Sequence, residues 1–410
     1  MPFCSGYDAS AGILLRRCRL ADRRTRYLGW GFLLGAAAGL LWTWRRVQEI
    51  SRQGVPGLVD WEEVLALAGR RAWDAAIPAG AEAYYAALVA RSAREVAAAT
   101  EMPLPPTPLA VRLLSPRQWL EMNVDTFRAV LEPLEELHHR LSSPRSPMTV
   151  FFGRPLQHFL SQQIALLLGY LSRRVLGQYD IALLGPQAPA NGRLCFVEPN
   201  IRNTQAQLGL SGPDFLLWVA LHETTHAFEF ELHPWLRGHL RSLLKAYLAE
   251  MENEVDQISR SLSPSGLAEL LEHIRRGEPW LLWTLTPRQR ALFDQMQALM
   301  SIVEGYSNYV MKRVGRRILP TFDLIESRLA AREAQRTAAE RLFLRLSGLE
   351  LKLEQYRLGE AFAESVARER GMAFLQRLWE RPENLPTLAE LAHPQDWMAR
   401  MEASDVPASR

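Results

Sequence analysis

The chain has 410 residues, room for one large domain or two modest ones, and its 48% hydrophobic content can fill a complete core. Lys and Arg number 48 against 45 Asp and Glu, so the net charge of +3 gives no global case for nucleic-acid binding. Three cysteines, Cys4, Cys18 and Cys195, supply neither a disulfide framework nor a C-x-x-C metal pair.

The first 26 residues are irregular and Arg-rich. Tyr27 to Trp44 is uncharged and stops at Arg45-Arg46. Such a run rises about 27 Å as a helix, just enough to cross a bilayer core. Trp30, Trp42 and Trp44 suit an interfacial aromatic belt, and Gly31, Gly35 and Gly39 would let two such helices pack closely as a homodimer. Residues 27–46 are therefore predicted to be a single transmembrane helix, and the chain a single-pass membrane protein. The excess of Arg before the span favours an inside N-terminus. Without that anchor the chain reads as cytoplasmic. Residues 47–57, ending in Gly54-Val55-Pro56-Gly57, read as a linker, and 58–410 as the folded domain.

From Leu58 to about Thr100 the pattern is helical and Ala-rich, and the proline-rich stretch 102–108 reads as a stiff connector. Ser115-Pro116 opens a helix to about Leu141, and a long apolar helix is predicted from about Leu156 to Leu176. Tyr179–Leu184 and Gly192–Val197 are short β-like runs separated by turn residues, which predicts a hairpin. Glu198-Pro199-Asn200 follows, with Asn200 either in a turn or aimed at a cleft.

Next comes Leu221-His222-Glu223-Thr224-Thr225-His226-Ala227, an H-E-x-x-H pattern. Ser211 is a suitable N-cap, Pro213 fits the first turn, and Pro234 marks the end. On a helix, positions i and i+4 share a face, so His222 and His226 can offer two imidazoles to one metal ion. Glu223 is then placed to take a proton from a water on that metal. The longer pattern with a third histidine is absent, because Glu229 stands where its glycine should be and Leu232 where its histidine should be. Glu229 and Glu231 lie too far along the same helix to reach back to the metal. Glu304 is the better third ligand. It interrupts the apolar positions Leu292, Met296, Leu299, Met300 and Val303 of a helix that opens at Thr286-Pro287 and is expected to stop at Gly315. Two hydrogen-bonded core histidines, and an ion pair from Glu304 to an arginine, are the structural alternatives. Leu240–Glu278 reads as an amphipathic helical flank, and 328–341 as a solvated charged face. The fold class expected is mainly α, a helical domain with a small hairpin or sheet beside the H-E-x-x-H helix, plus the N-terminal hydrophobic helix.

These blocks together resemble the zincin-like metallopeptidase family associated with deazaflavin-coenzyme biosynthesis. The resemblance runs through the H-E-x-x-H helix with Pro234-Trp235-Leu236-Arg237, the Glu304-Gly305 helix, Gly348 to Gly359, Leu385-Pro386-Thr387 and Trp397. It implies a zincin-type hydrolase with Zn²⁺ on His222, His226 and Glu304, and Glu223 as base. Such enzymes often carry an Asp four residues after the ligand Glu to orient a ligand histidine; here Asn308 stands there, without the charge. An edge strand beside the zinc helix often takes an extended peptide, which assigns Arg193, Cys195 and Val197 to substrate binding, although a purely structural hairpin explains the same pattern. Tyr306, Tyr309, His233 and Arg237 are the candidate donors to an oxyanion or substrate. The expected substrate is a peptide or protein. The competing expectations are a membrane-anchored binding or scaffold protein with a structural or vestigial zinc site, and a hydrolase of non-peptide amides.

Overall fold

The structure, a computed structural model, describes residues 55–142, 147–180, 192–261, 286–335 and 349–405. The run predicted to span a membrane, with Gly31, Gly35 and Gly39, lies outside the described residues, as does the 262–278 part of the predicted flank. Among the described residues no helix is long and apolar enough to cross a membrane.

The elements in chain order are α1 (Trp61–Gly69), α2 (Ala81–Thr100), β1 (Ala110–Leu114), α3 (Pro116–Leu141), α4 (Pro147–Leu171), β2 (Gly177–Asp180), β3 (Arg193–Val197), α5 (Glu198–Leu208), α6 (Gly212–Leu232) and α7 (Trp235–Ser261). After these come α8 (Pro287–Ile318), α9 (Phe322–Ala334), α10 (Leu349–Arg370), α11 (Met372–Leu375), two 3₁₀ turns, α12 (Leu388–Ala392) and α13 (Pro394–Asp405). The protein is mainly helical with one small three-stranded sheet among the described residues.

The chain divides into two compact units. The smaller joins Glu135–Leu160 to the segment ending at Val59. There the Glu135 carboxylate accepts from the backbone N–H groups of Leu58 at 2.7 Å and Val59 at 3.0 Å, satisfying donors that no secondary structure uses.

The larger unit, Asp60–Leu134 with Ser161–Arg410, carries the sheet and the main core. Its core gathers Val96 of α2, Phe215, Leu221 and Phe228 of α6, Ile302, Tyr306 and Val310 of α8, and Phe362 and Val366 of α10. α6 is buried along most of its length between Phe215 and Phe230, so its sequence shows no broad polar stripe, as expected of a central helix. α8 and α10 meet backbone to backbone. A Cβ on Gly305 would lie 2.2 Å from the Gly359 carbonyl carbon, and one on Gly359 would lie 1.9 Å from the Ser301 carbonyl oxygen. Only glycine permits that approach.

The sheet order is β1-β3-β2, with β1 parallel and β2 antiparallel to β3. The antiparallel pair matches the predicted hairpin in kind; its first strand begins at Gly177, two residues before the predicted run, whose residues 181–184 lie outside the described residues, and the pairing with 110–114 carries no local signal. This overturns the assignment of Arg193, Cys195 and Val197 to a substrate edge. β3 is the central strand, its backbone is paired on both sides, and Cys195 and Val197 are buried with Leu114 and Trp119. The exposed side chain of Arg193 does not restore a free strand edge. Other limits also differ from expectation. Asn200 is neither in a turn nor aimed at a cleft: it lies in the first turn of α5, buried, and donates to the carbonyls of Ser172 and Val175 at 2.8 Å each. Gly315 does not stop α8. It lies inside the helix, where Phe322 packs so closely that a Cβ would sit 2.7 Å from its ring.

Candidate metal centre

α6 and α8 supply the centre. α6 opens at Ser211 with Pro213 in its first turn, as the sequence predicts, although the Ser211 side chain makes no capping bond. Asp214 in that first turn accepts instead from the Thr321 hydroxyl at 2.6 Å, which ties the start of α6 to the start of α9. α8 opens with a full capping box between Thr286 and Gln289. Both helices are thus fixed by their ends and by the core between them.

One turn apart on α6, His222 and His226 bring their Nε2 atoms to 3.2 Å, with the rings nearly perpendicular. From α8, Glu304 Oε2 lies 3.8 Å from His222 Nε2 and 3.7 Å from His226 Nε2. One ligand atom from each residue lies within 4.8 Å of the others. A tetrahedral zinc with bonds of about 2.0–2.1 Å separates its ligand atoms by roughly 3.3–3.4 Å, so this donor set fits a zinc ion in both chemistry and spacing. His222 and Glu304 keep 20% and 24% of their side-chain surface exposed against 10% for His226, so the cluster opens to solvent on the side of His222 and Glu304.

Electrostatics separates the two histidines. Burial, then the charge of His226, pushes His222 down to about 4, so at neutral pH its imidazole is uncharged and can act as a ligand. Burial alone would lower His226 too, but the hydrogen bond and charge of Glu229, then Glu304, outweigh it and carry His226 well above its ordinary value. The cause is explicit in the geometry: His226 Nδ1 lies 2.9 Å from Glu229 Oε2 and 3.0 Å from Ser307 Oγ, and the Ser307 hydroxyl lies 3.3 Å from Glu229 Oε1. Nδ1–H donating to this wholly buried carboxylate orients the ring so that Nε2 faces the cluster, where loss of its proton would free a lone pair for a metal. Burial pushes the Glu229 carboxyl up to about 7, against the pull of His226 and of the Ser307 hydrogen bond.

Glu229 and Ser307 therefore take the orienting role that the sequence assigned to Asn308. Asn308 is half-buried, and no hydrogen bond ties it to either ligand histidine. Glu229 does not reach the metal position, as expected, but it supplies the charge that an amide at 308 would have withdrawn. Both residues had a signal, since Glu229 is three positions after His226 and Ser307 three after Glu304, which puts each on its ligand's side of the helix.

Glu223 is almost fully buried. Burial, then the Glu304 charge, raises its carboxyl to about 7 against the pull of His226 and of the Tyr179 backbone N–H. That is the range in which a carboxylate can both accept and return a proton near neutrality.

The other predicted donors are placed elsewhere. Tyr306 is wholly buried, its ring against Trp379 and its hydroxyl accepting from Gln376 Nε2 at 2.8 Å, so it has no route to a substrate oxyanion. Tyr309 is half-buried against the core, and its hydroxyl accepts from the exposed Arg313 at 3.3 Å. His233 ends α6 with Nδ1 3.0 Å from the Glu229 carbonyl oxygen, and burial lowers its pKa, so it serves as a neutral cap. Arg237 donates to Glu231 at 2.8 Å, and Tyr179 donates its hydroxyl to the same carboxylate, which also accepts from the Gly192 N–H at 2.7 Å. That network pins β2 and the start of β3 to the end of α6; sequence reading identified Arg237 but neither Glu231 nor Tyr179 as its partners.

A family profile described as zincin-like metallopeptidase matches residues 59–398. A crystal structure from Chloroflexus aurantiacus, described as "a putative hydrolase with a novel fold", is similar over 84% of this chain and 99% of that one, at 39% identity and a TM-score of 0.62. No curated protein matches the chain. With a match across most of its length, the chain belongs to the zincin-like metallopeptidase family, and its His222, His226 and Glu304 form a cluster that could hold a metal ion.

Proposed function

We propose that the protein is a zinc-dependent hydrolase that cleaves an amide bond, in a peptide or protein, with His222, His226 and Glu304 holding the metal and Glu223 as the proton-transfer group. The observation that carries this is the cluster of three ligand atoms with a buried Glu223 carboxyl beside it. A zinc ion held by His222, His226 and Glu304 would supply a Lewis acid, able to acidify water toward a pKa of about 7 and to polarise a carbonyl. Glu229 and Ser307 keep His226 Nε2 aimed at the cluster. Glu223 accepts the proton of the attacking water on its carboxylate and returns it to the leaving amine nitrogen. Among the described residues the cluster has three donors rather than four, which favours an open catalytic position over the structural or scaffold reading.

Cleavage of a quenched-fluorescent peptide library by the zinc-loaded protein tests this, beside Glu223→Gln. The variant should keep its zinc and lose about 10²–10⁴-fold in rate. Wild-type rates from Glu223→Gln would remove Glu223 from the proposed role.

A further inference from the structure

Period two along a strand puts residues 177 and 179 of β2 on the same face, and that face lies on α6. At 179 the face carries a large side chain: Tyr179 stacks on Phe230 with ring centroids 5.7 Å apart. At 177 it carries none. A Cβ on Gly177 would lie 2.6 Å from both Cγ and Oε1 of Glu223 and 2.7 Å from its Cδ. Real Cβ atoms essentially never come this close, and here the contacts fall on the stem and carboxyl together, so a side chain at 177 would force Glu223 or β2 to shift. Residue 179 adds to the arrangement, since its backbone N–H draws the pKa of the same carboxyl down against its burial.

We propose that Gly177 is the positioning residue for Glu223: the bare backbone of β2 at 177 forms the wall against which the Glu223 side chain is held beside the His222, His226 and Glu304 cluster. This rests on the reading of Glu223 as the proton-transfer group of an open zinc site. Gly177 touches neither metal nor substrate, and acts only through Glu223. It also gives β2 a function that its pattern does not advertise, because a glycine in a strand ordinarily only weakens it.

The test is a double-mutant cycle on the purified full chain, with Gly177→Ala, Glu223→Ala and the double variant. Each is measured for zinc content, for thermal midpoint, and, in the zinc-loaded form, for affinity toward acetohydroxamate, a small zinc chelator whose proton a neighbouring carboxylate accepts. Gly177→Ala should keep stoichiometric zinc, lose at least tenfold in acetohydroxamate affinity, and melt several degrees lower. In the Glu223→Ala background the same substitution should change neither quantity, because the added methyl occupies the vacated space. If Gly177→Ala does not fold, Glu223→Ala should restore folding. Equal losses in both backgrounds would show a purely structural glycine and overturn the proposal, as would unchanged affinity and midpoint in Gly177→Ala. Failure of the zinc-loaded wild type to bind acetohydroxamate would overturn the open-site reading instead, while the cycle of melting temperatures would still decide whether Gly177 makes room for Glu223.

Discussion

At His226 the division of labour in the centre is clearest: one ring nitrogen faces the metal position and the other is held by Glu229 and Ser307. Removing such a partner typically costs 10–100-fold in metal affinity. Glu229→Gln keeps an acceptor but removes the charge, and should lower zinc affinity by about that factor, read by competition with a chromophoric chelator. Asn308→Ala should stay within about threefold of wild type in the same titration; a loss as large as that of Glu229→Gln would return the orienting role to Asn308. His222, Glu223, His226 and Glu304 were legible in the sequence because helical spacing puts the two histidines on one face with Glu223 beside them, and a lone carboxylate in an apolar run demands a partner. Tyr306 was misjudged for a reason of the same kind. It lies two residues after Glu304, about 200° around the helix, and so points away into the core. Ser307, three residues on, returns to the ligand's side.

For strands and helices, what could be read was local and what was missed was pairing. The antiparallel β2–β3 pair follows from two β-like runs with turn residues between them, but the parallel insertion of β1 on the other side of β3 depends on residues some 80 positions away. That distant partner converts an expected substrate edge into the buried centre of the sheet. The α8–α10 contact is likewise invisible in either helix alone, since Gly305 and Gly359 look like ordinary helix-weakening glycines until their backbones are seen to touch. Gly359→Ala, which drives a methyl into a carbonyl oxygen, should therefore lower the thermal midpoint sharply and disturb the placement of Glu304. Gly238→Ala in α7, where nothing lies within 4 Å of the added methyl, should stabilise by about 0.5–1 kcal/mol. A comparison of the two midpoints checks both, and a Gly359→Ala protein as stable as wild type would contradict the close crossing.

Across the whole chain, pH and metal should act on stability through identifiable groups. Burial alone would raise the Glu390 carboxyl, but the Arg400 guanidinium at 2.6 Å and the Thr387 cap outweigh it and hold it below the usual carboxylate range. A group with a depressed folded pKa contributes stability that is present above its unfolded value of 4.5 and is lost as pH falls through its lower folded value. Wild type should thus exceed Glu390→Gln in thermal midpoint at pH 6–7 and converge with it in acid; a gap that widens in acid would reverse the assignment. For the N-terminal run Tyr27 to Trp44 we propose a membrane tether on its sequence alone, and resistance of the full chain to carbonate extraction from membranes is the matching measurement. The site itself is tested most directly by elemental analysis of the purified chain beside His226→Ala and Glu304→Ala. One zinc per chain in the wild type, lost in both variants while each remains folded, is the predicted result. Zinc retained by Glu304→Ala, or a folded wild type that takes up none, would contradict the three-ligand centre.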